Sequence, residues 1–383
     1  MHASGAGMFI DWLSVTQEHD HDLPVVCDVF RQTIDAHTGE LLATSQPRFQ
    51  HEASFCTSIT ISVQGRRVTV EGNPSRVGRI DNLFGHSTVE QCITVYNRML
   101  ALYGLPPFTR CAALQLRDGC SGAKVGDWLA DGAVITMIHL TSNVGVGQGN
   151  QLDYLRAVSG IRLGRCAGFL YPNGRTVTWT TQAGGKGARL QYRKAYDKAH
   201  DIADKLIPAM RRQFGDDSPE LAYATQLLDY CQREGVIRFE QELKSEYLAR
   251  ENLRYWGLFD ESRFQSIHGE FLALDSRLKV TAMDLASVSE QLLLEQVVDT
   301  VRAANTTAMY AIQWAHGQRL DFNKRQVKEH AARLNRIGID IRSPFDVSRN
   351  SLVFVREARE VTPVKNLQPP AWYQRPNHLR AVA

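Results

Sequence analysis

The sequence predicts an α+β fold, with a domain on a mostly antiparallel sheet at residues 1–274 and a smaller helical domain with a short tail at 275–383. Three observations carry this. Strand-like stretches with hairpin turns alternate irregularly with helical stretches through the first part of the chain. From about residue 275 the apolar residues recur at helical spacing instead. Cations also concentrate late: residues from Gly317 to Ala383 include 13 Lys plus Arg against 6 Asp plus Glu, while the whole chain carries only +3. Phosphate affinity follows the number of cations a surface presents, so the basic tail, rather than the total charge, marks the expected polyanion-facing region. A solvated basic face has the same composition.

In chain order, "MHASGAG" reads as a structureless extension over residues 1–7. "TSITISVQGRRVTVEG" (Thr57 to Gly72) alternates β-branched and polar residues around Gln64-Gly65 and reads as a hairpin. "STVEQCITVYNRMLALYG" reads as a helix with Ser87 as its N-cap and Gly104 at its end. "GAVITMIHLTSNVGVG" and "RTVTWTT" are strands, and "GVIRFEQELKSEYLARENL" starts as a strand and is expected to turn helical after Glu240. Beyond residue 275, "ASVSEQLLLEQVVDTVRAAN", "TAMYAIQWAHG" and "NKRQVKEHAARLNRIGID" are helical in period, with Gly317 and Gly338 as stops. The last of these, with "DIRSPFDVSRNSLVFV" behind it, has the pattern of a small helical nucleic-acid-binding unit. Pro369 and Pro370 set off the tail.

Several classes are excluded. The seven cysteines are odd in number, spread out and without a CxxC pair, which predicts reduced thiols rather than a disulfide scaffold or zinc ribbon. No apolar run reaches membrane-span length, and no signal layout precedes Met8, so a soluble protein inside a cell is expected. "EHDHD" (Glu18 to Asp22) reads as a solvated loop despite its His-x-His. "GGKGAR" (Gly184 to Arg189) lacks the spacing of a phosphate loop, so no NTPase is expected, and any strand unwinding would come from a partner.

Chemistry-bearing residues fall in three places. In "ITMIHLTSN" the side chains of Met137, His139 and Thr141 share one strand face, where an imidazole can meet a metal; a half-buried packing histidine is the plainer alternative. In "VIRFEQELK" Arg238 and Glu240 share a face, and a carboxylate among Val236, Ile237 and Phe239 must be paired or metal-bound. A structural Arg–Glu pair and a ligand both satisfy that. One nitrogen and one oxygen ligand on neighbouring strands suit a divalent metal, Mg²⁺ or Mn²⁺, with water and phosphate completing the shell. In "QYRKAYDKAH" Tyr192 and Tyr196 stand four apart, at helical spacing, with Lys194 and Lys198 beside them. A phenol is a poor nucleophile at neutral pH and needs a nearby cation, which the lysines supply. Packing tyrosines with outward charges are the alternative.

Taken together and in order, these segments resemble the gene II/X replication initiators of filamentous phages. "MFIDWLSV" is similar to the family's MIDxL opening, and "VEGNPSRVGRIDNLFGHSTVEQC" to its VE…SPxKVLxGxNVFG segment. "RTVTW" matches a TVTW strand, "AYDKAHDI" an AYxKxxEL motif and "GVIRFEQELKSEYL" a GLVRFExxxKxxYL segment; "PAWYQRP" is similar to a terminal PDWY. No single motif is specific, but their order over roughly three hundred residues is.

The resemblance implies an HUH-related nuclease sheet and a phage (inovirus) rolling-circle initiator. Its activity would be metal-dependent nicking of the double-stranded replicative form at the plus-strand origin through a 5′-phosphotyrosyl intermediate, followed by strand rejoining. By motif, Tyr196 is the expected nucleophile with Lys198 beside it; Tyr192, with Lys194, is second or cooperating. His139 and Glu240 are the expected metal ligands, with the third ligand open, since the chain has Ile138-His139-Leu140-Thr141 where the family has Ile-Asp-x-Thr and lacks a second histidine. Arg189, Arg238 and Lys244 near the centre, and Lys324, Arg325, Lys328, Arg333 and Arg336 in the basic region, are the expected DNA contacts. Origin DNA, duplex and single-stranded, is the expected partner, with host helicase and polymerase, no membrane, and an oligomer on DNA as an option; the compartment would be the host bacterial cytoplasm. A non-cutting origin-binding protein or repressor derived from such an initiator, and a plasmid-type initiator or relaxase, are the alternatives.

Overall fold

The computed structural model describes residues 7–24, 26, 29, 31–45, 48–54, 57–122, 124–181, 189–274, 285–315, 318–343 and 365–377. Its centre is a ten-stranded antiparallel sheet. One half is built from β1 (Phe9–Glu18), β4 (Phe49–Ser54), β5 (Thr57–Gln64) and β6 (Arg67–Gly72). The other half is β9 (Val134–Gly145), β10 (Ala167–Leu170), β11 (Thr176–Thr180), β12 (Gln191–Asp197) and β13 (Val236–Lys244). Their spatial order is β10-β11-β12-β13-β9-β1-β6-β5-β4, and β14 (Lys365–Asn366) adds to the end of β9. Two small hairpins stand apart: β2 (Arg31–Ile34) with β3 (Leu41–Ser45), and β7 (Leu114–Leu116) with β8 (Trp128–Ala130).

The expected hairpin is β5–β6, turning at Gly65, whose φ of 61° is the left-handed conformation that glycine adopts freely. The helix α1 (Val89–Leu102) begins one residue later than the sequence suggested: Thr88, not Ser87, is its N-cap and accepts a hydrogen bond from the Gln91 backbone at 3.2 Å. The strand containing Glu240 also runs on to Lys244 before α6 (Ser245–Arg250) starts. Residues 241–244 pair with β12 or β9 on both sides, and those ladders outweigh the helix preference of Gln, Glu, Leu and Lys. "QYRKAYD" likewise is strand rather than helix, with the helix α2 (Gln151–Ser159) packed behind it and α3 (Lys198–Asp201) starting only after Asp197.

One sheet face is apolar. Ile138, Leu140, Val144, Ile237, Phe239, Leu243, Ala195, Val177 and Trp179 bury there, in clusters with α1, α2 and α7 (Ser262–Leu272). A π-helical turn, Ile202–Leu206, joins α3 to α4 (Ile207–Phe214). The hairpin of α4 and α5 (Pro219–Glu234) packs on Ile80, Leu83, Phe84, Leu367 and Tyr373, so the tail returns to the first part of the chain. Helices α8 (Leu285–Leu294), α9 (Val301–Ala315) and α10 (Arg325–Arg336) make a separate apolar cluster around Leu292, Ala304, Ala308 and Leu334. The helical stretch expected to run through residues 286–305 breaks before Val301, at Gln296 with φ 52°. Most of "DIRSPFDVSRNSLVFV", the "GGKG" segment, the expected stop at Gly317 and residues 1–6 lie outside the described residues.

Candidate active site

The pleat puts every second residue of a strand on the same face, and cross-strand partners share it. Arg238 opposes Asn143 and Tyr196, Glu240 opposes Thr141 and Lys194, and Glu242 opposes His139 and Tyr192. The face away from the apolar core therefore gathers both tyrosines, both lysine and carboxylate rows and the histidine. In β1, a bulge between Ile10 and Trp12 turns Asp11 and Trp12 out together. Trp12 stacks on His139 with ring centroids 6.1 Å apart.

At the centre of this face the Tyr196 hydroxyl donates to Glu240 Oε1 at 2.6 Å, and Lys194 Nζ contacts Glu240 Oε2 at 2.6 Å. Burial alone would raise the Glu240 carboxyl, but Lys194, Arg238 and the Tyr196 hydrogen bond outweigh it and hold the group ionised, well below the ordinary carboxylate range. Burial and the Glu240 charge together push the Tyr196 phenol well above its ordinary value. The pair is thus a buried phenol whose proton points at a charged acceptor. Cations flank the ring: Lys194 Nζ lies 5.4 Å and Lys198 Nζ 5.9 Å from its centroid.

Lys198 is placed by a local change of structure. Asp197 caps α3 by accepting from the His200 backbone at 3.2 Å, so the chain leaves the sheet directly after Tyr196. Lys198 Nζ then binds Asp201 Oδ2 at 2.7 Å, and Lys205 Nζ binds the other oxygen at 2.6 Å. Burial, with Arg238 nearby, lowers the Lys198 ammonium, and Asp201 opposes this. A cavity of about 350 Å³ opens here, lined among others by Tyr196, Lys198, Lys205, Asn82 and Asp81. Its far wall, the Asn73–Phe84 loop, is tied to the sheet: Asn73 and Asn82 both donate to Asp11 Oδ1, at 2.8 and 2.7 Å. Tyr373 from the tail holds the loop from outside, accepting from Arg79 at 2.5 Å and from the Phe84 backbone at 2.8 Å and donating to Asp81 at 2.7 Å.

His139 is half-buried, and its Nε2 has no hydrogen-bond partner although it is shielded from solvent. Burial lowers its pKa against the raising influence of Glu242, Glu240 and Asp11. Its nearest carboxylate oxygen is Glu242 Oε2 at 3.9 Å, one pleat repeat from the expected Glu240, whose two oxygens are committed to Tyr196 and Lys194. Among the described residues no group of three or more His, Cys, Asp or Glu side chains is placed to hold a metal alone. An open imidazole nitrogen beside one carboxylate fits a hard cation that keeps water and substrate phosphate in its shell.

Two family models match most of the chain between them: the N-terminal part of the filamentous-phage replication-associated protein, the gene II product, over residues 8–262, and the C-terminal part of the same protein over residues 292–379. The replication-associated protein of Escherichia phage If1, a gene II protein, is 44% identical over 324 residues, 85% of this chain and 99% of that protein. The chain belongs to the gene II replication-associated protein family. This is the filamentous-phage family that the sequence motifs resemble. No solved structure gives a significant match.

In this member of the gene II family the residues expected at the site are not all where the sequence placed them. Tyr196, Lys194, Lys198 and Glu240 converge. Tyr192 shares their face four residues away, which on a strand is about 13 Å; burial and Tyr171 raise its phenol, and it opposes Glu242 rather than Glu240. Arg238, expected on DNA, is fully buried. It donates to Asn143 at 3.0 Å and to the carbonyls of Asn82 and Leu83 at 2.6 and 3.0 Å, so it is a clamp beneath the site with no surface for a phosphate. Lys244 lies 3.6 Å from Glu242, and Arg189 is exposed and pairs with Glu246 at 2.7 Å. At α10, the N-cap Lys324 and the helical Arg325, Lys328 and Arg336 are exposed, and Arg333 pairs with Glu329 at 2.5 Å. Sequence reasoning missed Asp11, Asn82 and Glu242. Asp11 carried a signal, a carboxylate inside the apolar run Phe9-Ile10-Trp12-Leu13. The "EHDHD" stretch is the exposed end of β1 and a loop, with His21 bonded to Asp20 at 2.7 Å. Among the described residues no helix is long and apolar enough to cross a membrane.

Proposed function

We propose that this chain initiates rolling-circle replication by nicking one strand of the phage replicative form with Tyr196 as nucleophile. The observation that supports the reading best is the 2.6 Å hydrogen bond from the Tyr196 hydroxyl to an ionised Glu240, with two lysines at the ring and a cavity at its edge. As the Tyr196 oxygen bonds to phosphorus, the P–O3′ bond breaks. The phenol proton leaves by way of Glu240 and water relays it to the departing 3′ oxygen, so Glu240 ends ionised as it began. Lys194 and Lys198 offset the negative charge that gathers on phosphate and phenolate. The product is a 5′-phosphotyrosyl ester and a 3′ hydroxyl that can prime a polymerase. Because one phosphoester replaces another, a 3′ hydroxyl can reverse the step and rejoin the strand.

His139 with Glu242, rather than with Glu240, would hold a divalent ion, Mg²⁺ or Mn²⁺. Bound there it would act as a Lewis acid on the scissile phosphate. The exposed cations of α10 would grip duplex phosphates, leaving chemistry to the sheet. Supercoiled circular DNA carrying the phage intergenic region, incubated with Mn²⁺, should become nicked and carry covalently bound protein. Tight duplex binding without nicking or adduct under any divalent metal would favour the non-cutting origin-binding protein instead.

A further inference from the structure

The polar face does not end at the tyrosines. It continues across β1, β6 and β5, where Thr16, Thr69, Ser62, Thr60 and Gln64 carry hydroxyls and an amide outward. A trough of about 420 Å³ lies on this part of the face. Its walls are the β7–β8 hairpin and the loop bearing Arg254, and its rim holds Arg48, Arg67, Arg117 and Arg254 against Glu18 and Glu71. Arg48 pairs with Glu71 at 2.7 Å and Arg67 with Glu18 at 3.0 Å, so those charges largely cancel. Arg117 and Arg254 then leave the trough cationic.

Two features of the walls are costly for a surface that meets only water. Trp128 is 39% exposed in β8, beside Leu129 at 36% and Leu116 at 44% across the two-stranded hairpin. Arg254 Nε is shielded from solvent and has no hydrogen-bond partner. An aromatic platform next to arginines over a hydroxyl-lined floor matches what an unpaired nucleic-acid strand presents, bases on one side and phosphates on the other. Duplex DNA hides its base faces and offers nothing for Trp128 to stack on.

We infer that this trough is a second binding site for single-stranded DNA, in which Trp128 stacks a base and Arg117 and Arg254 hold phosphates of the strand that leaves the tyrosine centre. The inference rests on the proposed nicking function for the identity of that strand. Three interstrand steps across the sheet and about five residues along β9 separate His139 from the far side of the trough, roughly 20 Å. A strand kept stacked at the 3.4 Å rise of a duplex needs about six nucleotides to span that distance, and an extended one needs fewer.

The test uses the full-length protein and a fluorescein-labelled oligodeoxythymidylate of about 14 nucleotides, with anisotropy as the readout. Trp128→Ala should weaken binding by about fivefold or more, the effect of one lost base–aromatic stack, while Trp128→Phe keeps most of it. Arg117→Ala with Arg254→Ala should flatten the slope of log affinity against log salt by about 1.4. Nicking of supercoiled DNA by the wild type is measured alongside, so failure of the cutting reading shows there and leaves the oligonucleotide result to judge the trough. Wild-type affinity in all three variants, no oligonucleotide binding by the wild type, or an equal loss on blunt duplex would each overturn the inference. Unchanged thermal midpoints for the variants confirm that losses come from the surface.

Discussion

Replacing Lys194 by methionine should take from the buried Glu240 carboxylate its strongest charge partner, leaving Arg238 and the Tyr196 hydroxyl. Glu240 is 6% exposed, and Lys194 is the largest influence holding it ionised against burial. Removing one partner of a fully buried pair costs about 3–5 kcal/mol. The Lys194 side chain is 36% exposed, so solvent screens part of the interaction. A loss of about 2 kcal/mol at pH 7 follows, roughly half the buried-pair value. The sign with pH is fixed by the direction of the shift. Glu240 is depressed in the folded protein, so its contribution is present above the unfolded carboxylate value and fades as pH falls. Urea denaturation of wild type and Lys194→Met at pH 7 and again near pH 4 checks this: the gap should be clear at the first and shrink at the second. Equal stabilities at pH 7, or a gap that does not change with pH, would refute the reasoning.

Three further outcomes follow from buried contacts. Tyr373→Phe leaves Arg79, Asp81 and the Phe84 amide short of a partner and should cost about 1–3 kcal/mol in urea titration, with reduced nicking because the loop that walls the cavity loosens. His268 is buried with its pKa pushed down to about 3, by burial first and Arg193 second, so the unfolded chain takes up a proton that the folded one refuses. Stability should therefore fall as pH drops below about 6.5, by roughly 2 kcal/mol at pH 5, and His268→Gln should flatten that limb. Gly235→Ala should be among the most damaging small substitutions: φ is 62° there, and a Cβ would sit 2.0 Å from the Gly147 carbonyl oxygen. The left-handed conformation alone costs about 1–2 kcal/mol, and soluble yield and thermal midpoint should both drop.

Much of the fold was legible because single strands and helices announce their own period. The β5–β6 hairpin, the core of α1, β9 and β11 follow from alternation, helical spacing and the Gly65 and Gly104 turns. What a single segment does not carry is register. Whether His139 meets Glu240 or Glu242 depends on how β13 slides against β9, and a one-residue slip swaps faces entirely. The bulge at Asp11 has the same character, since it exists only where β1 meets β9. Arg238 was expected on DNA as a cation near the centre, sharing a strand face with Glu240. Its depth is set by Asn143 and the Asn82–Leu83 carbonyls, from distant segments. The return of Leu367 and Tyr373 to α5 was likewise invisible, because the tail's apolar residues are few and Pro369-Pro370 reads as a boundary. The site chemistry was more accessible: Tyr196, Lys194, Lys198 and Glu240 were each flagged by a group that needs a partner.

The most direct test of Tyr196 as nucleophile is to map the covalent link itself. Wild-type protein reacted with an origin-containing circle and Mn²⁺, digested with nuclease and trypsin, should yield one nucleotide-modified peptide whose mass shift falls on Tyr196, and Tyr196→Phe should yield none. A modification on Tyr192 that survives in Tyr196→Phe would contradict it.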